Sequence, residues 1–333
     1  MTDRTTDVPA TTVADLSEEQ LLARIFPHLP LGSTTLLGPG DDAAVLAAPD
    51  GRYVVSTDVL VQDRHFRRDW STGEDVGWRA AMQNLADVAA MGAVPTALVV
   101  SLVVPGDVLV TWVEGLARGL GDACSTVGAG VVGGDLSGGA QLVVAVTVHG
   151  DLGGRAPVRR DGARPGDVLA LAGTLGRSAA GLALLGAGTP DVDRDVVDVY
   201  LRPRPPLDLG PVAATSGATA MLDVSDGLLR DAGRLARASG VVLDLLPVAG
   251  SCAGDLAALA TAAGALGVDP LGWVLTGGED HGLLATFPAG TVPEGFRALG
   301  TVRPATRTTA AGTVLVAGSP ADVTSPGWDH FRR

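Results

Sequence analysis

The chain has 333 residues, 46% of them apolar and 18% charged, with 24 basic against 37 acidic residues for a net charge of −13. That length predicts two domains of ordinary size, and so negative a surface argues against nucleic acid and anionic membrane as partners. All 24 basic residues are arginine, which excludes a P-loop lysine, a protein-kinase-type lysine and a Schiff-base lysine.

In chain order, 16–28 (LSEEQLLARIFPH) reads as a short helix, with Ser17 and Gln20 at capping-box spacing and Pro27 near its end. The first 15 residues lack the apolar core of a signal peptide, and the longest apolar runs, such as 96–104, are strand-length, so the expected location is cytoplasmic. A glycine-rich stretch at 38–46 leads into a strand over 52–58. Over 74–91 the spacing predicts a helix with Trp78, Met82, Leu85 and Ala89 on one side and Asn84 and Asp87 on the other. Strand 96–104, helix 107–126 and strands 129–133 and 141–149 complete a first domain, 1–150. The segment 151–167 is rich in Gly, Pro and Arg and marks the boundary with a second domain, 151–333. There the pattern predicts strand 168–172, helix 177–186, a helical stretch near 191–201 and another helix after the proline-rich 202–206. Strand 219–223 runs into helix 226–238, with Ser225 or Asp226 placed to cap it, and strands are expected at 283–287 and 312–317. Hairpin-like strand pairs mixed with helices predict an α+β fold rather than a doubly wound sheet. Cys124 and Cys252 are too few for a disulfide framework and read as small packing residues.

Chemistry is carried by aspartates in glycine-rich turns and beside apolar runs: Asp41 and Asp42 in GPGDD, Asp58 in STD, Asp87 in NLAD, Asp135 in GGD, and Asp223 and Asp226 in DVSDG. Any one of them has an ordinary reading as a turn or a cap. Asp is unfavourable in strand interiors and helix middles, however, and a pocket collecting several of them is relieved only by cations. Magnesium takes one or two carboxylates plus substrate phosphates, which is the arrangement phosphoryl transfer needs. GVVGGD at 130–135 reads either as a strand end whose glycines admit phosphate to backbone N–H groups or as a plain turn. His65 reads as a contact for an anionic substrate or a surface histidine, Arg160 as a phosphate contact or linker charge, and Trp328 as a tail anchor or a stacking platform.

The ordered set GPGDDAAVL, STDVLVQDRHF, NLADVAAMGA, GGDLSGG, RRDGARPGD, DVSDGLLRD, TGGED and GWDHF resembles the thiamine-monophosphate kinases, from about residue 16 to the C-terminus. That family belongs to the superfamily of aminoimidazole-ribonucleotide and selenophosphate synthetases. Many of these motifs are shared across the superfamily, while RHF, GGED and the terminal WDHF lean towards the kinases. The resemblance implies a two-domain α+β fold and ATP-dependent, magnesium-assisted conversion of thiamine monophosphate to thiamine diphosphate. It also implies a homodimer paired through the N-terminal domains, with the C-terminal domain closing over the site. By the same resemblance Asp42, Ser56, Thr57, Asp58, Asp87, Asp135, Asp223 and Asp226 are metal ligands. Gly134, Asp135, Arg160 and Ser225 contact ATP, and His65, Glu279 and Trp328 contact the thiamine phosphate. One departure is His281-Gly282 after GGED, where an aromatic and an acid are expected; it bears on the shape of the substrate pocket. Other readings are an aminoimidazole-ribonucleotide synthetase-like enzyme and a non-catalytic nucleotide- or metal-binding regulator. A selenophosphate synthetase would need a reactive Cys or selenocysteine and a Lys near the N-terminus, and a hydrogenase-maturation relative a terminal Cys, where this sequence has DHFRR.

Overall fold

The computed structural model describes residues 11–38 and 44–328. Its first helix, α1 (Glu18–Ile25), starts at the expected capping box, in which the Ser17 hydroxyl accepts from the Gln20 N–H and the Gln20 side chain accepts from the Ser17 N–H. Strands β1 (Thr35–Leu37) and β2 (Val45–Leu46) form a small antiparallel pair. Four longer strands, β3 (Val54–Val61), β4 (Val94–Val104), β5 (Gly130–Gly138) and β6 (Val143–Asp151), make a sheet in the order β3-β6-β4-β5. Side chains alternate along β6, so that Val144, Val146 and Val148 are buried under the helices α2 (Gly73–Ala90) and α3 (Val110–Ser125). The opposite face stays open, with Val55 and Val59 of β3 and the adjoining Tyr53 exposed.

From residue 168 onwards a second core forms on a seven-stranded sheet. Its strands are β7 (Val168–Ala172), β8 (Ala220–Val224), β9 (Val241–Leu245), β10 (Gly282–Phe287), β11 (Arg297–Pro304), β12 (Val314–Val316) and β13 (Ser319–Pro320), ordered β13-β12-β9-β11-β7-β10-β8. Every pairing is antiparallel except β12 with β9, and this is the α+β arrangement expected of the sequence. Helices α4 (Arg177–Gly186), α5 (Arg194–Leu201), α6 (Leu209–Thr215), α7 (Leu228–Ser239), α8 (Val248–Ser251), α9 (Ala253–Leu266) and α10 (Pro270–Thr276) complete it. Cys124 and Cys252 are buried and free, as packing residues should be. Among the described residues no helix is long and apolar enough to cross a membrane.

Several local expectations need correction. Helix α7 starts at Leu228 and neither Ser225 nor Asp226 caps it: Gly227, at φ 118°, is the N-cap, and Asp226 bonds an arginine instead. A Cβ at Gly227 would lie 2.5 Å from the Thr276 carbonyl oxygen, so this turn demands glycine. GVVGGD is not a strand end, because β5 runs on through Asp135 to Gly138 beside its parallel partner β4. Helix α2 has no solvent side either; Asn84 is fully buried and donates to the Ala80 carbonyl, because α2 also touches β8 of the second sheet.

Close approach of α2 to α3 rests on glycine. A Cβ at Gly77 would stand 2.0 Å from the Leu116 carbonyl oxygen, and one at Gly119 would stand 2.1 Å from that of Glu74. Gly77→Ala is therefore expected to destabilise by roughly 1–3 kcal/mol through overpacking, although alanine exceeds glycine by about 1 kcal/mol in helix propensity. The exposed Gly264 on α9 meets nothing within 4 Å, and Gly264→Ala should gain about 0.4–1 kcal/mol. Thermal unfolding should thus move the two variants in opposite directions, and a Gly77→Ala melting temperature at or above that of the unaltered protein would refute the tight helix crossing.

Candidate active site

Register across the four-stranded sheet sorts the predicted residues onto two faces. Ser56 stands opposite Val148 and Asp58 opposite Val146, on the face packed against α2. From α2, Asp87 accepts a hydrogen bond of 2.7 Å from the Ser56 hydroxyl, and Gln83, one turn earlier, lies beside Asp58. Asp223 enters from β8 of the other sheet. Burial, with Asp223 and Asp58 nearby, pushes the Asp87 carboxyl up to about 7. Burial likewise raises Asp58, with the negative Asp223 and Glu279 adding to the rise and His281 opposing it. Three carboxylates thus share a region that desolvates them and sets them against one another.

Other predicted residues lie elsewhere. Thr57 and Asp135 sit on the open face, where the Thr57 hydroxyl donates to the Val146 carbonyl at 2.9 Å, so any part it plays beside Asp58 would fall to its main chain. Asp226 is held by Arg234 at 2.5 Å and by Arg230 at 3.8 Å. Asp42, with its neighbour Asp41, lies outside the described residues. Arg160 is exposed, with its carbonyl taken by the Ser239 hydroxyl. Among the described residues no three acidic, imidazole or thiol side chains converge tightly enough to chelate an ion by themselves.

His65, Glu279 and Trp328 do come together, on a cavity of about 520 Å³ that Trp70, Trp273, Tyr200 and Phe66 also line and that Ser225 borders. The His65 Nδ1 accepts from the Val61 N–H at 3.0 Å. The Trp328 N–H donates to the Asp226 carbonyl at 2.9 Å while its side chain stays largely exposed. Glu279 forms an ion pair with the buried Arg79 of α2. Gly134 and Asp135 border a different cavity, of about 810 Å³, together with Tyr53 and His149. At Gly134 a Cβ would lie 1.9 Å from the Val100 carbonyl oxygen.

Two participants escaped the sequence reading, and a third was read for a different place. Arg79 and Gln83 look like ordinary polar residues in a helix, and only their i, i+4, i+8 spacing with Asp87 marks a common stripe. His281 was expected to bear on the substrate pocket; its Nδ1 lies instead 3.1 Å from the Asp223 carboxylate, at the aspartate cluster. Burial alone would lower its pKa, but the Asp223 hydrogen bond and the Glu279 charge outweigh that and push it up to about 9.

Comparison with known proteins identifies the family. Residues 40–152 match the family described as AIR synthase related protein, N-terminal domain, and residues 164–289 match its C-terminal domain. A thiamine-monophosphate kinase of Mycobacterium tuberculosis (strain CDC 1551 / Oshkosh) is 51% identical over 291 residues, covering 87% of this chain and 86% of its own. One from Corynebacterium glutamicum is 43% identical over 327 residues, covering 96% and 95%. Among solved structures, the thiamine monophosphate kinase of Aquifex aeolicus superposes with a TM-score of 0.73 at 32% identity, covering 83% of this chain and 91% of its own. A structure of AaThiL complexed with AMPPCP and TMP superposes with a TM-score of 0.75 at 32% identity, covering 87% and 91%. The chain belongs to the thiamine-monophosphate kinases, within the AIR synthase related family.

The crowded carboxylates make stability depend on pH. The Asp87 pKa is higher folded than unfolded, so its stabilising contribution is complete below about pH 4 and is lost as the pH rises towards 7. One pKa unit is worth about 1.4 kcal/mol, so metal-free Asp87→Asn should be more stable than the unaltered protein by roughly 1–4 kcal/mol at pH 8, with the gain shrinking as the pH falls. Chemical denaturation at pH 8 and pH 5.5 in a chelator checks this; a gain independent of pH would mean the repulsion is absent.

Proposed function

We propose that this enzyme transfers the γ-phosphoryl group of ATP directly to the phosphate of thiamine monophosphate, giving thiamine diphosphate and ADP. The observation that carries the reading is the meeting of His65, Glu279 and Trp328, far apart in sequence, on one aromatic-lined cavity beside the aspartates. A phosphate monoester has a second pKa of about 6, so its oxygen attacks as an anion and needs no general base. One P–O bond forms to that oxygen as the bond to ADP breaks, and the electron pair leaves with ADP. What resists the reaction is repulsion between two anions. Trp328 and the other aromatic faces suit the cationic thiazolium ring, an attraction worth roughly 0.5–2 kcal/mol.

The residues fit magnesium. The donors are oxygen atoms, burial with Asp223 and Asp58 nearby pushes Asp87 up to about 7, and magnesium takes one or two carboxylates together with waters and phosphate oxygens. Asp58, Asp87 and Asp223 would hold it, with Ser56 orienting Asp87. When bound, it would neutralise charge on the reacting phosphates.

A homodimer belongs to the same reading. Asp58, Val146, Val100 and Gly134 form one row across four strands, which separates Asp58 from the Gly134-Asp135 edge by about 14 Å at a spacing of ~4.8 Å per strand. Tyr53, Val55 and Val59 leave the open face apolar and exposed. A second copy covering that face would bring its own Gly134 and Asp135 to the site built on Asp58. We take 151–167 as the boundary between the domain that makes this pairing and the domain that carries Glu279 and Trp328, and we place the enzyme in the cytoplasm, where ATP is supplied.

Incubation with ATP, magnesium and thiamine monophosphate should yield thiamine diphosphate, with little phosphorylation of free thiamine; equal use of free thiamine would reject the acceptor assignment. Asp58→Asn and Asp135→Asn should each be inactive alone. Refolded together they should recover roughly a quarter of full activity, since half of randomly paired dimers are mixed and each mixed dimer has one intact site. No recovery would mean that both aspartates serve one chain.

A further inference from the structure

The Arg79–Glu279 ion pair joins α2 to the substrate cavity. Arg79 is only 4% exposed. Its guanidinium reaches Glu279 through one nitrogen, donates to the Tyr200 carbonyl at 3.2 Å through another, and lies 4.5 Å from the centre of the Tyr200 ring. Glu279, in contrast, keeps 39% of its side chain exposed, on the cavity. The glutamate backbone sits at φ 69°, in the left-handed region, and its N–H is tied to the Ser225 carbonyl at 2.9 Å. The main chain therefore commits Glu279 to this turn, and the side-chain direction is left to its partner.

We propose that Arg79 is a positioning residue for the acceptor substrate: lying behind Glu279, it fixes that carboxylate at the cavity wall so that one oxygen remains free to bind the ring end of thiamine monophosphate. This rests on the function proposed above. Arg79 precedes Gln83 and Asp87 by one and two helical turns; Gln83 lies beside Asp58, and Asp87 accepts a hydrogen bond from Ser56. Eight residues of helix span about 12 Å, so a single rigid element sets the distance from the residue that binds the ring to the carboxylates that face the phosphates. A guanidinium suits the task because its planar fork engages Glu279 and the Tyr200 carbonyl at once, which an ammonium point charge does not.

The test compares Arg79→Met, Arg79→Lys, Glu279→Gln and the Arg79→Met/Glu279→Gln double variant, by steady-state kinetics and by thiamine monophosphate titration of tryptophan fluorescence, since Trp70, Trp273 and Trp328 line the cavity. Arg79→Met should raise KM and the titration midpoint for thiamine monophosphate at least tenfold, leave KM for ATP within twofold, and not be rescued by lysine. The double variant should be no worse than Glu279→Gln alone, because Arg79 acts through Glu279. It also leaves no unpaired buried charge, so it is read together with Arg79→Lys should Arg79→Met fail to fold. A folded Arg79 variant with both constants unchanged, or a double variant whose loss multiplies the single losses, overturns the proposal. Failure of the unaltered protein to use thiamine monophosphate would instead reject the function on which it rests.

Discussion

Asp58, Asp87 and Asp223 come from a strand, a helix and a second sheet, and the packing of α2 against both sheets brings them close enough for their charges to act on one another. Burial acts first on Asp58 and Asp87, and the neighbouring charges add to it, so the apo protein holds the carboxylates against their own electrostatics. Such an arrangement lasts only if the surrounding frame is stiff. The frame here is α2, sealed to α3 where Gly77 and Gly119 let the two backbones nearly touch, and sealed to the first sheet by Leu85, Val88 and Ala89, all fully buried.

The same helix carries polar residues at every fourth position, and each meets a different neighbour. Asp75 caps the helix through Thr72 and pairs with Arg202, Arg79 pairs with Glu279, Gln83 lies beside Asp58, and Asp87 accepts from Ser56. Beside that stripe the Trp78 indole donates to the Pro203 carbonyl at 2.7 Å. Polar groups buried along a helix are tolerated when each finds a partner, and here the partners belong to both halves of the chain. One helix therefore ties the Arg79–Glu279 pair at the cavity to the Asp87 carboxylate along a single axis.

Sequence reasoning reaches the parts of this that depend on local chemistry. The Ser17–Gln20 capping box, strand 168–172 and helix 177–186 stand where residue type and spacing predict them. Helix α9 does not announce itself, because AGDLAALATAAGAL is apolar on every side and shows no periodicity to distinguish it from a buried strand. The aspartates could be singled out because Asp is unfavourable inside a strand, and Asp58 and Asp223 both prove to be strand residues. Which face each occupies depends on register, and register is a long-range property; hence Thr57 and Asp135 fall on the open face while Ser56 and Asp58 fall on the covered one. Arg79 and Gln83 carried no signal, since charged and amide side chains are routine in helices. His281 was visible as a departure, but its contact with Asp223 lies across a pairing of β10 with β8 that no local pattern reveals.

A chain whose only cationic side chains besides histidine are arginines distributes charge in a particular way. Each guanidinium is a fork, and the partly buried ones use it to tie two acceptors: Arg202 joins Glu74 and Asp75, Arg234 joins Asp226 and Asp231, and Arg297 joins the Gly173 carbonyl and Asp255. Asp280 finds its partners without any cation, in the Thr174 hydroxyl and the N–H groups of Arg177 and Ser178 at the start of α4. Among the described residues no arginine reaches Asp58, Asp87 or Asp223; their neighbours are the Gln83 amide, the Ser56 hydroxyl and the His281 ring. A bound ion can be accepted and released with the nucleotide, whereas a guanidinium on a neighbouring helix stays where it is. Without an arginine among the described residues beside them, Asp58 and Asp87 have only polar neighbours and His281 to offset the burial that raises their carboxyls.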